Sequence, residues 1–373
     1  MNFNSHSAKE LKSREAQGAK RRAAKVKGPT IRTSAHATGI PFPAGLAPVP
    51  QPLAATPDPN APLPNADIIM MMDTVAEAAA AADVLTPGFQ EKEWYSYAHN
   101  FETTFLPLIR NGAPATKSKR LGAFFVTKIS GLKVIVFKTD LHMHQDAIKL
   151  PDGSMSLPIK DMLKQIIQEA KPKLFLTTGT SGGVYCSMHL GDVVVSRAAR
   201  FQCDQSFRDA PFNHTTFKSD WTVPQTQLAE ARKLMQLFAS NLSGRGTPPL
   251  PNCDCNADPA RPTDVFFDGQ DKIPPFHPII TVDYFEFGTS TNNLDKIGMA
   301  VEMDDATLGL ACSELKSPPK WACVRNLSDA TVNGQLAPAD QKKCAGSTYT
   351  EYGYWTSVMS ALASWSIIAG FKG

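Results

Sequence analysis

A chain of 373 residues with 42% hydrophobic and 9% aromatic content can bury a sizeable core, in one large domain or two of medium size. No apolar run reaches the roughly 18 residues that a membrane-spanning helix needs, and the longest candidate, 358–371, is interrupted by Ser360, Ser364 and Ser366. The net charge of +3 is uneven: residues 1–40 hold nine Lys/Arg and two Glu, which leaves the remainder at −4, so nothing in the folded part points to a nucleic-acid-binding domain.

Residues 1–40 read as a polar, basic, solvated arm, and residues 41–64, with nine prolines in 24 positions, as an extended linker. Residues 1–64 are therefore expected to lie outside the fold. The seven cysteines are an odd number without framework spacing, and no apolar signal segment opens the chain; both favour a reducing, cytoplasmic setting. Cys253 and Cys255 stand alone in a Pro-rich loop with no second ligand pair, so no metal is expected there.

The fold is expected to begin at Asp67. Residues 67–72 read as a buried strand, and Thr74 with Glu77 has capping-box spacing at the start of an alanine-rich helix ending near Leu85. Residues 89–120 lack a clear period and read as loop and short helix. Residues 121–129 and 132–137 are β-rich runs joined by Ser130-Gly131, a hairpin signal. His142 and His144 follow, at a spacing compatible with metal ligands, with acid–base groups, or with plain structural roles. Pro158 opens an amphipathic helix carrying Ile159, Met162, Leu163, Ile166 and Ile167 on one face.

The most informative stretch comes next. Leu174-Phe-Leu is a short buried strand, and Thr177-Thr-Gly-Thr-Ser-Gly-Gly183 reads as a glycine- and hydroxyl-rich turn leading to a strand at 192–196. Such a turn lets the backbone approach an anion or a sugar, and it also reads as a plain connection. A helix is expected over 225–242, a Pro- and Gly-rich surface insertion over 243–278, and strands over 278–284, 299–302 and 321–327. A helix follows Asp304-Asp305, and a last one covers about 354–369. Strands alternate with helices, which makes the chain an α/β domain. Polar groups gather at strand C-termini, where open α/β sheets bind ligands: Glu77, Thr178 to Gly183, Glu302 to Asp304, and Ser328-Asp329.

Four segments in order then match one family. They are Thr-Gly-Thr-Ser-Gly-Gly with Leu-Gly-Asp-Val-Val-Val-Ser, Asp283-Tyr-Phe285, Ala-Val-Glu302-Met303-Asp304, and Val324-Arg325-Asn-Leu-Ser328-Asp329. Over about 65–335 the chain resembles the nucleoside phosphorylase / methylthioadenosine nucleosidase superfamily, with 205–278 unmatched. The resemblance implies a three-layer α/β/α fold around a central mixed sheet, a catalytic domain over 65–373, and cleavage of a nucleoside N-glycosidic bond. It makes Asp329 the acid that protonates a departing purine and Glu77 the carboxylate that activates water. It assigns Glu302, Met303 and Asp304 to the ribose, Phe285 to stacking on the base, and Thr180 to the attacking water or phosphate. Thr178, Gly179, Ser181, Glu286 and Ser328 complete the expected substrate contacts. The expected partner is a small-molecule nucleoside, with a homo-oligomer (dimer or hexamer) implied by resemblance, and with neither membrane nor nucleic acid expected.

Departures from the family pattern are plain. Asp304 stands where a longer Glu is typical, the 140–144 segment replaces a Gly-rich one, and Thr177 occupies the place of a phosphate-binding arginine. The last change favours hydrolysis over phosphorolysis, with no cofactor and with phosphate as the alternative co-substrate; Lys138, His144 or Arg200 are the candidate replacements for that arginine. The competing reading is a non-catalytic nucleoside- or nucleotide-binding or sensing protein on the same scaffold.

Overall fold

The computed structural model describes residues 36–185, 188–224, 227–246, 262–270, 272–286, 293–330 and 336–373. Among the described residues thirteen strands form one mixed sheet. They are β1 (Val49–Pro50), β2 (Ile68–Met72), β3 (Tyr95–Tyr97), β4 (Gly122–Ile129), β5 (Leu132–Thr139), β6 (Leu174–Gly183) and β7 (Val193–Ser196), then β8 (Ala198–Phe201), β9 (Thr216–Lys218), β10 (Val265–Phe267), β11 (Ile279–Thr281), β12 (Ala300–Glu302) and β13 (Lys320–Ala330). The main path runs β1-β4-β5-β2-β6-β12-β11-β8-β9, with β13 paired to β6 and β7. Five longer helices cover it: α1 (Val75–Leu85), α2 (Pro158–Ala170), α3 (Leu228–Phe238), α4 (Asp305–Ser313) and α5 (Pro338–Gly370).

Alternation along the strands sets the layers, because successive side chains point to opposite faces. Ile69, Met71, Phe175, Trp321 and Cys323 join the α2 side chains Ile159, Met162, Leu163 and Ile166 in one core. On the other face Thr178 bonds Ser364 and Asn326 bonds Ser360, both on α5. Helices therefore lie on both sides of the sheet.

The expected hairpin is present. β4 and β5 pair antiparallel, and Ser130 and Gly131 take φ of 52° and 82°, the double positive φ of a two-residue hairpin turn. The capping box at Thr74 and Glu77 forms as the spacing predicts.

Three expectations change. The stretch 177–183 is strand, not turn: β6 runs unbroken through Gly183, paired with β13 along its length, with β2 over its first residues and with β12 at its end. The glycines answer a crowding problem instead. A Cβ at Gly179 would stand 2.6 Å from both Arg325 Nη1 and Glu77 Oε1, so a bare backbone is what lets those charges approach.

Residues 36–64 also belong to the fold. Val49 and Pro50 pair with β4, Leu63 is buried, and Trp365 donates to the Leu46 carbonyl at 2.7 Å. Proline suits this role, since an edge segment does not need every ladder N–H. The expected disorder of residues 1–35 concerns residues outside those described.

The insertion at 205–278 likewise adds to the sheet. β9 extends it beside β8, β10 pairs parallel to β7, and α3 packs on α5. The expected loop around Cys253 and Cys255 lies outside the described residues. Among the described residues no helix is long and apolar enough to cross a membrane. Cys344 is disulfide-bonded, a pairing that the cysteine spacing did not point to.

Candidate active site

A cavity of about 570 Å³ opens at the C-terminal ends of β2, β6, β12 and β13, roofed by the first turns of α5. Its floor is the β2–α1 turn. There Glu77 gathers four donors: the Asp73 N–H at 2.9 Å, the Thr74 N–H at 2.8 Å, and the Thr180 N–H and hydroxyl, both at 2.7 Å. The carboxylate thus ties α1 to β6, and the Thr180 hydroxyl, having given its proton to Glu77, presents its lone pairs outward. Ser181 lines the cavity, but its hydroxyl donates to the Asn326 carbonyl at 3.0 Å.

Asp329 owes its position to a bulge. The β6–β13 register slips between Leu327 and Asp329, so the strand holds one extra residue at Ser328 and the acid is re-aimed into the cavity. Burial pushes its carboxyl up to about 7, against a 3.1 Å hydrogen bond from the Ser328 hydroxyl that lowers it. A partly buried carboxyl that keeps its proton to near neutrality is a competent donor to a leaving base.

The Glu302–Asp304 segment is more occupied than expected. Glu302 accepts from the Asp304 N–H at 2.5 Å, the Asp305 N–H at 3.0 Å and the Thr281 hydroxyl, which closes the β12–α4 turn. Asp304 accepts from the Met143 N–H at 2.7 Å and faces His142 Nδ1 at 3.3 Å. The 140–144 segment therefore packs directly on Asp304. Met303 lines the cavity beside them.

Phe285 and Glu286 sit on the rim. The Phe285 ring is 64% exposed and meets His144 edge-on, with centroids 5.8 Å apart; Glu286 accepts from the Tyr284 hydroxyl at 3.2 Å.

Two expected contacts lie elsewhere. Thr178 is buried under α5 with its hydroxyl 2.7 Å from Ser364, and Gly179 gives its carbonyl to Asn326 Nδ2 at 2.9 Å, so neither lines the cavity. Strand alternation puts Thr178 and Thr180 on the same face of β6, and their partners differ: Ser364 on α5 covers Thr178, and Glu77 on α1 meets Thr180.

Several groups escaped the sequence reading. Arg325 is buried with Asp305 at 2.5 Å, Asp73 at 3.3 Å and Glu302 at 3.4 Å around its Nη2. It appeared in the sequence as part of a motif, with nothing local to reveal three carboxylates brought from β2 and the β12–α4 turn. Burial and Asp304 push Asp73 up to about 7, against Arg325. Burial would lower His142, but the Asp304 hydrogen bond and charge outweigh it and raise the ring to about 9. Tyr349 bonds the Thr74 hydroxyl at 3.2 Å from the roof helix, beside Lys342, Ala345 and Gly346. The signal for that early start of α5 was Pro338 at a first helical turn, followed by Asp340.

No protein-family model matches the chain, and no curated protein does. The chain is similar to solved nucleosidases. One is the Neisseria meningitidis 5'-methylthioadenosine/S-adenosylhomocysteine nucleosidase in complex with methylthio-immucillin-A, at 13% identity and a TM-score of 0.45, over 82% of this chain and 100% of that one. Another is a Helicobacter pylori nucleosidase mutant with 5'-methylthioadenosine in its active site, at 12% identity and 0.45, over 82% and 98%. A third is futalosine hydrolase of Helicobacter pylori, at 12% identity and 0.45, over 81% and 97%.

Proposed function

We propose that the protein hydrolyses the N-glycosidic bond of a purine-type nucleoside. The observation that supports this most is the pairing, in one cavity, of a carboxyl that keeps its proton to about 7 at Asp329 with a hydroxyl–carboxylate pair at Thr180 and Glu77. Glycosidic cleavage needs both: a proton for the departing base, and an acceptor for the proton of the incoming water. In this reading the C1′–N9 electron pair leaves with the base as Asp329 delivers its proton to N7. Water adds to C1′ and gives a proton to Thr180, whose own proton passes to Glu77. The negative groups around the sugar stabilise the oxocarbenium-like state between these steps.

Water is favoured over phosphate on charge grounds. The only guanidinium lining the cavity among the described residues, Arg325, is ringed by Asp73, Glu302 and Asp305. Two of the three candidate replacements for a phosphate-binding arginine are engaged elsewhere: Lys138 pairs with Asp140, and Arg200 reaches Thr216 at 3.4 Å. A phosphate dianion near Thr180 would face the Glu77 and Asp73 carboxylates, and among the described lining residues the lysine is Lys342, on the roof helix. Assaying free-base release from a panel of purine and pyrimidine nucleosides, with and without inorganic phosphate, tests the reading. Phosphate-independent release of a purine is the expected result. Tight binding of nucleosides with no release would support the sensing alternative instead.

A further inference from the structure

His142 was singled out by its sequence spacing, and hydrolysis gives it no task. One Asp73 oxygen, one His142 ring nitrogen and one Asp304 oxygen lie within 4.8 Å of one another and line the cavity. We propose that these three side chains bind one divalent transition-metal cation, with its remaining coordination positions open to the cavity.

The donors are set up for this. Each carboxylate has one oxygen held by a protein donor, which leaves the other for a further partner. Asp73 Oδ2 is held by Arg325 at 3.3 Å, while its Oδ1 is buried with no hydrogen-bond partner, in a residue only 5% exposed. Asp304 Oδ1 is held by the Met143 N–H at 2.7 Å, which leaves Oδ2 to His142. The His142 backbone N–H is itself anchored on Asp146. Outer donors of this kind orient ligands at metal sites. A buried acceptor without a donor costs free energy, and a cation removes that cost.

Charge balance points the same way. Among the described residues, Asp73, Glu302, Asp304 and Asp305 converge around one guanidinium, Arg325, and a ligating His142 is neutral. A dication offsets two of the three carboxylate charges left over. The mixed nitrogen and oxygen donor set favours Zn²⁺ or Mn²⁺ over Mg²⁺, which prefers oxygen alone. Metal–ligand bonds of about 2.1 Å require the three side chains to close by about 1 Å from their present spread. Three protein ligands leave room for water or for paired hydroxyls of a ligand.

The proposal stands on donor geometry and does not rest on the hydrolytic reading. The full chain, stripped with a chelator and dialysed, is titrated calorimetrically with ZnCl₂, MnCl₂ and MgCl₂, and bound metal is counted by mass spectrometry. One equivalent of Zn²⁺ or Mn²⁺ is expected, with Mg²⁺ at least tenfold weaker. Asp73→Asn and His142→Gln are each expected to weaken binding at least tenfold, with circular dichroism of the stripped variants unchanged. Cys253 and Cys255 remain in both variants, so binding by those thiols would survive. Failure of the wild type to bind either ion, or binding by His142→Gln equal to wild type, overturns the proposal. Should Asp73→Asn not fold, His142→Gln alone decides, since His142 is partly exposed. Base release without metal binding would remove the metal and keep the hydrolase; metal binding without base release would do the reverse.

Discussion

The two ends of the cavity are built in opposite ways. At the floor, Glu77, Asp73, Glu302, Asp304, Asp305, Arg325 and His142 spend most of their hydrogen-bonding capacity on one another and on backbone N–H groups. At the Ser328 bulge, Asp329 has a single side-chain partner among the described residues, Ser328. A densely bonded network fixes geometry and holds charge in place. A lightly bonded acid in a partly buried site keeps its proton near neutrality and can give it away. Position and proton donation are thus separated between β13 and the β2–α1 turn.

The contrast breaks first at Asp329. Asp329→Asn retains the shape and the bulge but removes the proton donor, and the expected loss in kcat is about 10²- to 10⁴-fold. The pH profile carries the sign. In the proposed reaction Asp329 acts in its protonated form, so wild-type kcat/KM is expected to fall as pH rises through about 7, the value to which burial lifts it. In the Asn variant that alkaline limb should vanish from the residual rate.

At the floor, Glu77→Gln is expected to cost two properties at once. The water's proton loses its acceptor, with about a 10²-fold fall in kcat. The capping box loses its charged partner as well, which lowers stability by about 1 kcal/mol in thermal or denaturant unfolding. A fall in kcat without any change in stability would show that the four donors around Glu77 are not a structural network.

Gly179→Ala sharpens the same point without replacing a functional group. Its Cβ would press on Arg325 and Glu77 at 2.6 Å, and the expected destabilisation is about 1–3 kcal/mol. The smallest effect is expected at Thr178. Thr178→Val removes the bond to Ser364, costs about 1 kcal/mol of stability and leaves base release unchanged.

These positions also show what the sequence could and could not reveal. The hairpin, the capping box and α2 rest on local chemistry, and each is found where the spacing puts it. The glycines of 177–183 were visible, but their cause was not: a turn and a close approach look alike until Arg325 and Glu77 are known to flank Gly179. Thr178 and Thr180 are hydroxyls two residues apart on one face of β6, and only their partners, Ser364 on α5 and Glu77 on α1, distinguish them. The Asp73–His142–Asp304 cluster joins residues 69 and 162 positions apart along the chain, which no local pattern encodes. Residues 36–64 misled through composition, because prolines on a sheet edge and prolines in a linker have the same sequence signature.

The central claim is that water, activated at Thr180 and Glu77, attacks C1′ as Asp329 protonates the base. Single-turnover cleavage of a purine nucleoside in H₂¹⁸O, with phosphate present, tests it directly. The account predicts free purine together with a free sugar carrying one ¹⁸O at C1. A sugar 1-phosphate without ¹⁸O at C1, or an intact nucleoside bound to active-site-saturating protein, would contradict it.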